Sequence, residues 1–444
     1  MRLSEAPAAD AAALHARHVL TPWVAQGGRN PPVVVRGEGS YLYDDAGKRY
    51  IDFSAGLVAV NLGHGHPAVA AAIGEQARTL AYAAPTFAHD RRAELARAIV
   101  ELAPWSAQGR VFFTTGGGEA NEDAMKFART LRGRHKILTA YRSFHGSAPG
   151  AGTLSGENRR WPNEPGIPGV VRFFAPFPYR SPFHTRDPGE EVERAIDHLE
   201  TIVAYEDAAN IAALLIEPIV GSNGVVVYPD GYLKRVRELC DRHGILLIFD
   251  EVMTGFGRTG DAFAATRFGV APDMFTFAKG VTSAYVPLGG VAVREDLAEQ
   301  FDRTPLPSGH TFSGHPVAMA AGVATLRAYR EERVFERARE LEPRLREGLE
   351  ALQRRHRVIG EVRGVGAFFG IELVADRETR APLVPWQGGT SLQLFFNDLL
   401  ARGLYVLGRY NVAIVAPPLT VSREQLDEAF AILDAGLHAL EATA

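Results

Sequence analysis

Two runs, "IAALLI" (Ile211 to Ile216) and "ILLIF" (Ile245 to Phe249), are apolar at every position. A strand with one face in water alternates, whereas an unbroken apolar strand must be covered on both faces. Helix-patterned segments flank such runs: "AELARAIVELA", "EANEDAMKFARTLR" and "YLKRVRELCDRHG", the last ended by Gly244. "RVFFTT", "HKILTAY", "DMFTFAKG" and "GGVAV" read as further strands. Strands alternating with helices imply an α/β fold with a mainly parallel sheet covered on both sides. In such sheets ligands sit beyond the carboxyl ends of the strands. Asp250, Glu217, Lys279 and a Gly-rich turn all fall at such ends, so they are expected to converge.

The flanks of this unit read differently. "GSYLYDDAGKRYIDFSAG" alternates around "DDAGK", a hairpin signal. Between Ala151 and Asp187 lies "NRRWPNEPGIPGVVRFFAPFPYRSPFHTR", with no clear period, which reads as a functional loop or a surface excursion. A helical pattern runs from about Ala318 to Arg357, and "GEVRGVGAFFGIELV" opens a second α/β unit. A length of 444 residues suggests two or three domains.

Composition excludes several classes. Charged residues make up 23 % and the net charge is −4, which leaves no basic face for nucleic acid and no polybasic patch for a membrane. No run approaches the length of a membrane span. The first twenty residues lack the apolar stretch of a secretory signal. The single cysteine, Cys240, fits a reducing, cytoplasmic setting and reads as a buried small apolar residue. His64 and His66 in "GHGHP" have no further ligand at zinc spacing, so no metal site is expected.

The chemistry lies at the strand ends. "TTGGGEAN" (Thr114 to Asn121) joins a strand to a helix; its backbone amides suit a phosphate, although a flexible turn reads equally well. It lacks the Gly-Lys-Ser/Thr ending of a nucleoside triphosphate loop. Lys279 follows an apolar strand; partial desolvation there would make its amine a nucleophile for a carbonyl, the alternative being a lysine reaching into water. Asp250 ends another apolar strand, where a buried carboxylate needs a cation or donors. Phosphate, carbonyl and protonated ring nitrogen are three handles of one cofactor, pyridoxal 5′-phosphate.

"LLIFDEVMTGFGRTG" followed by "APDMFTFAKG" resembles the signature of the class III (subgroup II, ω-type) aminotransferases. "GGGEANEDAMKFAR", "FHG", "IEPIVG", "GHTFSGHPVA" and "APPL" match that family in order, and the likeness runs from about Thr21 to the end. The resemblance implies a type I pyridoxal-phosphate transferase fold: a large domain with a mainly parallel, seven-stranded sheet and a small domain built from both chain ends. The expected division is 1–75 and 321–444 for the small domain and 76–320 for the large one. It also implies that Lys279 carries the cofactor and moves the proton, and that Asp250 pairs with the ring nitrogen. Gly117 and Gly118 would hold the phosphate, Phe144 and Val252 would cover the two ring faces, and Glu217 would stand near the cofactor. Glu251 would lie behind Asp250 or form an exposed pair with Arg258. Thr311 would reach the phosphate of a partner subunit, so a homodimer is expected.

Departures from the family narrow the substrate. Gly118 stands where many relatives have Ser, and Met253 where many have Gln. Ser222 and Ile414 replace the Glu and Arg that gate the substrate carboxylate in ornithine- and 4-aminobutyrate-type relatives. Their loss favours the amine–pyruvate or taurine–pyruvate branch, whose usual carboxylate-binding Arg falls at Leu407. Arg409, two residues on, is the candidate clamp for the acceptor acid, or else a solvated loop arginine. Val58 stands where amine–pyruvate members often have Trp and would enlarge or reshape the pocket; Leu57, Trp23 and Phe87 are wall residues by the same resemblance, or else simply part of a core. The expected activity is transfer of an amino group from an ω-amino acid or amine to pyruvate or a related keto acid. The rival on the same scaffold is an aminomutase, racemase or decarboxylase. A dinucleotide-dependent oxidoreductase lacks its fingerprint here, and no appended DNA-binding module supports a regulator.

Overall fold

The computed structural model describes residues 8–27, 31–385 and 390–443. Its centre is a seven-stranded sheet: β1 (Gly109–Thr114), β2 (Lys136–Ala140), β3 (Val170–Phe173), β4 (Ile211–Ile216), β5 (Leu246–Asp250), β6 (Met274–Phe277) and β7 (Gly289–Arg294), in the spatial order β1-β7-β6-β5-β4-β2-β3. All neighbouring pairs are parallel except those of β7, which runs antiparallel to β6 and β1. Every residue of β4, β5 and β6 is buried, as the unbroken apolar runs of β4 and of β5 up to Phe249 require; the buried Thr276 of β6 donates to Asn121.

Register decides which strand ends meet. Phe249 pairs with Ile216, so Asp250 lies beside Glu217. Asp250 pairs with Thr276, so Lys279 stands three residues past that partner and two past the end of the neighbouring strand. Gly289 pairs with Thr114 and brings the start of β7 against the Gly-rich turn. That turn opens α1 (Gly117–Arg132), whose inner face packs on the sheet through Ala120, Ala124, Met125 and Ala128.

Outside the central sheet, Arg49–Asp52 pairs antiparallel with Tyr41–Asp44, the expected hairpin. The same strand pairs in parallel with Leu404–Tyr405 near the other chain end. A further sheet joins Ile359–Val365, Phe368–Asp376, Val412–Val415 and Leu407–Arg409.

Two expectations need correction. The single long helix is two, Pro316–Glu331 and Val334–Arg355, interrupted at Arg333, whose φ of 52° is left-handed. The aperiodic segment contains β3, hidden in sequence because it is a four-residue edge strand between Gly-Pro-rich stretches.

Candidate active site

Asp250 ends β5 almost wholly buried, and three donors surround its carboxylate. Oδ2 accepts from Asn121 Nδ2 at 2.8 Å and lies 2.7 Å from His145 Nδ1, while Oδ1 accepts from the Val252 amide at 3.0 Å. Asn121, on the first turns of α1, also donates to the His145 carbonyl and accepts from Thr276 Oγ1. One amide side chain thus ties α1, β5, β6 and the turn after β2. Neither Asn121 nor His145 stood out in the sequence. Both sit inside quoted motifs, but only the topology shows that they meet one carboxylate.

Glu217 lies beside Asp250, its two oxygens accepting from the Phe144 amide at 2.9 Å and the Gly221 amide at 2.8 Å. Burial pushes its carboxyl up to about 7, and the Asp250 charge adds to this while His145 opposes it. Lys279 has a left-handed φ of 48° at the exit of β6, a conformation that costs free energy in a non-glycine residue. Burial lowers its amine to about 8, with Arg159 and Arg258 adding to the effect against the pull of Asp250 and Glu217. Lys279 and Asp250 are thus within electrostatic reach of each other.

The Gly-rich turn forms the other end of the site. No side chain caps the start of α1 at Gly116. A Cβ on Gly117 would lie 2.7 Å from Val252 Cγ2, so Val252 rests directly on the helix start. Gly146, with a φ of 144°, presses on Gly118: a Cβ there would stand 2.7 Å from the Gly118 Cα. The "FHG" turn and the glycine turn are therefore in contact.

A cationic cluster adjoins Phe144. The Arg159 guanidinium lies 3.7 Å from the Phe144 ring centroid and 5.2 Å from that of Trp23. Arg159 also donates to Ser222 Oγ at 2.9 Å and pairs with Glu157 at 2.5 Å. Glu157, fully enclosed, pairs with Arg409 as well, again at 2.5 Å. Arg409 further donates to Asn158 Oδ1, and Tyr410 Oη donates to Glu157. Arg409 is therefore no solvated loop arginine; it ends a short strand with its charge engaged. Arg159 and Glu157 were missed because they lie in the aperiodic segment, where spacing carries no signal.

Other expected residues divide. Trp23, Leu57 and Phe87 are exposed on the single chain. Val58, expected at the pocket wall, is instead buried in a cluster with Ile219, Val225, Val412 and Ile414, because its left-handed backbone turns the side chain inward. Thr311 is exposed, and its carbonyl accepts from Tyr82 Oη. Glu251 makes no exposed pair with Arg258. It is fully buried, accepting from the Ala264 and Ala265 amides and Thr254 Oγ1, and burial pushes it up to about 7. Arg258, equally buried, donates instead to the Ala367 and Pro417 carbonyls and to Asn61.

The family model for class-III aminotransferases matches residues 24–437. The chain belongs to the class-III aminotransferases. An omega-aminotransferase of Caulobacter vibrioides is 36 % identical over 416 residues, covering 90 % of this chain and 92 % of its own. The crystal structure of a taurine:2-oxoglutarate aminotransferase from Bifidobacterium kashiwanohense, in complex with pyridoxal phosphate and glutamate, superposes with a TM-score of 0.96 at 40 % identity, covering 99 % of both chains. That of an (S)-enantioselective omega-transaminase from Thermomicrobium roseum gives 0.92 at 37 %, covering 99 % and 100 %. The chain is thus a pyridoxal-phosphate-dependent transaminase of the type I fold, and the rival reactions on this scaffold are not favoured.

The aminotransferase's own residues fit that cofactor. An uncapped helix start with close-packed glycines offers amides to a phosphate, the enclosed Asp250 suits a protonated ring nitrogen, and the lowered amine of Lys279 suits a carbonyl. Among the described residues one grouping could hold a metal, His356 with Asp434 and His438, but His356 is already bridged between Asp434 and Glu441. No helix among the described residues is long and apolar enough to cross a membrane.

Proposed function

We propose that this aminotransferase moves an amino group from an ω-amino acid or amine to pyruvate or a similar α-keto acid. The observation that carries the reading is the pair of guanidiniums, Arg159 and Arg409, bridged by Glu157, with Arg159 3.7 Å from the ring centroid of Phe144, the residue that precedes His145. An amine donor needs no counter-charge there, whereas a keto acid needs a cation for its carboxylate. Arg409 is assigned as the acceptor's clamp, with Trp23, Leu57 and Phe87 as pocket walls; Val58 acts through its packing against Ile219, Val225, Val412 and Ile414.

When bound, pyridoxal phosphate supplies the electron sink that stabilises negative charge on the substrate carbon. Lys279 is assigned to carry the cofactor and then to move the substrate's Cα proton, which suits an amine whose pKa lies near neutrality. Asp250 holds the ring nitrogen's proton, with His145 and Asn121 fixing the carboxylate. Gly117 and Gly118 present amides to the phosphate, Phe144 and Val252 flank the ring, and Glu217 fastens the Phe144 turn.

The reading includes a homodimer. Thr311 lies on the surface beside Phe312 and Tyr82, two exposed aromatic rings in edge contact, and Phe87 and Leu57 are exposed as well. Such apolar exposure suits cover by a second copy, whose cofactor phosphate Thr311 would reach. The small domain is drawn from 1–75 and 321–444, a division favoured by the pairing of Ile51 with Leu404. A cytoplasmic setting is favoured by the buried, unpaired Cys240. A screen of amine donors against pyruvate and related α-keto acids, reading the amino acid formed, tests the activity; absence of any amino acid product with every ω-amino acid and amine overturns it.

A further inference from the structure

A second group of arginines gathers where turns of the central sheet meet the further sheet. Arg142, in the turn after β2, and Arg363, on Ile359–Val365, both lie against the ring of Phe177, their guanidiniums 4.8 and 5.0 Å from its centroid. A Cβ on Gly224 would stand 3.0 Å from Arg363 Nη2 and 3.8 Å from Arg142 Nη1, so the two cations are close neighbours. Arg180 joins them through Glu372, which accepts from Arg180 Nε at 2.8 Å and from Arg363 Nη2 at 2.6 Å. Arg363 also donates to Glu361 at 2.6 Å. Three guanidiniums thus share two carboxylates, an excess of one positive charge. Burial lowers the Arg142 guanidinium to about 10, with Arg363 and Arg180 adding to this against Glu372 and Tyr410.

These groups border a cavity of about 80 Å³, lined by Arg142, Arg180, Asn223, Glu372, Tyr410 and Asn411 among others. That is several times the roughly 10–15 Å³ that one water needs. Asn223 is only 1 % exposed, yet among the described residues neither its Nδ2 nor its Oδ1 has a hydrogen-bond partner. Arg180 Nη2 is likewise buried and unpartnered. Buried polar atoms left unpaired are costly, and those of a charged group more so. The neighbouring side chains do not meet the need: Asn411 binds both backbone groups of Val384, and the Tyr410 hydroxyl donates to Glu157. The Arg180 side chain, 23 % exposed, marks a way in from solvent.

We infer that this cavity is a binding site for inorganic phosphate in its hydrogenphosphate form. An anion answers the excess positive charge and accepts from Arg180 Nη2 and Asn223 Nδ2. Asn223 Oδ1 needs a donor instead, and the O–H of hydrogenphosphate supplies one where sulfate has none. A bound phosphate ties the turns after β2 and β4 to the strand Phe368–Asp376. The site is separate from the glycine turn at Gly117 and Gly118, and it does not rest on the amine-to-keto-acid reading.

Calorimetry with inorganic phosphate on the cofactor-loaded enzyme, in chloride-free buffer, tests the site; the loaded cofactor keeps free phosphate out of the glycine turn. Phosphate should bind and should raise the melting temperature as its concentration rises. Sulfate should bind about tenfold more weakly, the worth of one hydrogen bond. Asn223→Ala should weaken phosphate binding by a similar factor. Asn223→Asp should abolish it, and by building a carboxylate into the cluster should raise the melting temperature of the phosphate-free enzyme; this variant decides the matter should the alanine form fold poorly. Binding should survive in Arg409→Ala. Enzyme that binds no phosphate, sulfate that binds as tightly, affinity unchanged in a folded Asn223 variant, an aspartate variant that melts below the wild type, or binding lost with Arg409 would each overturn the inference and leave the aminotransferase reading standing.

Discussion

His145 Nδ1 lies 2.7 Å from Asp250 Oδ2, and both side chains are closed off from solvent. Because a carboxylate only accepts, the imidazole donates from Nδ1, and the charge of Asp250 is aimed by a residue from a different strand turn. Replacing His145 by Ala strips a buried charge of a partner and is expected to cost about 3–5 kcal/mol of stability. Chemical denaturation of the apo-protein measures this. Asp250→Asn should retain the fold but lower turnover by roughly 10²-fold or more, the scale of losing a fixed charge at a reacting group.

The amine of Lys279 sits at about 8 against an ordinary 10.5, chiefly through burial. Only the free amine attacks a carbonyl. Cofactor capture by the apo-protein should therefore quicken as pH rises through about 8 and level off above it. Stopped-flow absorbance at a series of pH values reads this directly; a rate still climbing steeply above pH 9 would contradict the assignment. Lys279→Ala should lower turnover at least 10²- to 10⁴-fold, the range for loss of a general base.

Val252 packs on Gly117 so closely that a methyl group there would stand 2.7 Å from Cγ2. Gly117→Ala should weaken cofactor binding by about 1–3 kcal/mol through overpacking. Val252→Ala in the same chain should recover most of that loss, since it removes the clashing methyls. Cofactor titration of the two single variants and the double variant gives the coupling.

Arg258 and Glu251 are both buried but bond to separate partners. Arg258→Met strands two carbonyls and Asn61, at a cost on the order of 3 kcal/mol. Combined with Glu251→Gln, the two losses should add within about 0.5 kcal/mol if no direct pair exists. A larger coupling would restore the salt bridge that the neighbouring sequence suggests.

Phe312 is 56 % exposed beside Thr311. If a second copy covers it, Phe312→Arg should shift sedimentation from dimer towards monomer and lower turnover in parallel. An unchanged dimer would place the interface elsewhere.

The central sheet was legible in sequence because β4 and β5 are apolar throughout, a pattern that admits few alternatives. Glu217 and Asp250 were legible for the same reason, each closing such a run, and Lys279 because it follows the short, mostly apolar β6. The edge strand β3 was not, since four residues between glycines and prolines carry no period. Nor was the Glu157–Arg409 pair, whose members are 252 positions apart in sequence; nothing local marks either one as the other's counter-charge. Val58 looked like a pocket residue by position, but its positive φ redirects the side chain, and a backbone angle of that kind is not written in residue type.

The pairing of Ile51 with Leu404 has a consequence for how the chain is made. The early hairpin leaves the ribosome with an open edge, and its permanent neighbour is synthesised some 350 residues later, after roughly 20–70 s of translation. During that interval the unpaired edge is a place where other nascent chains can attach. Production of this enzyme should therefore respond more to chaperone supply during synthesis than to the stability of the finished molecule.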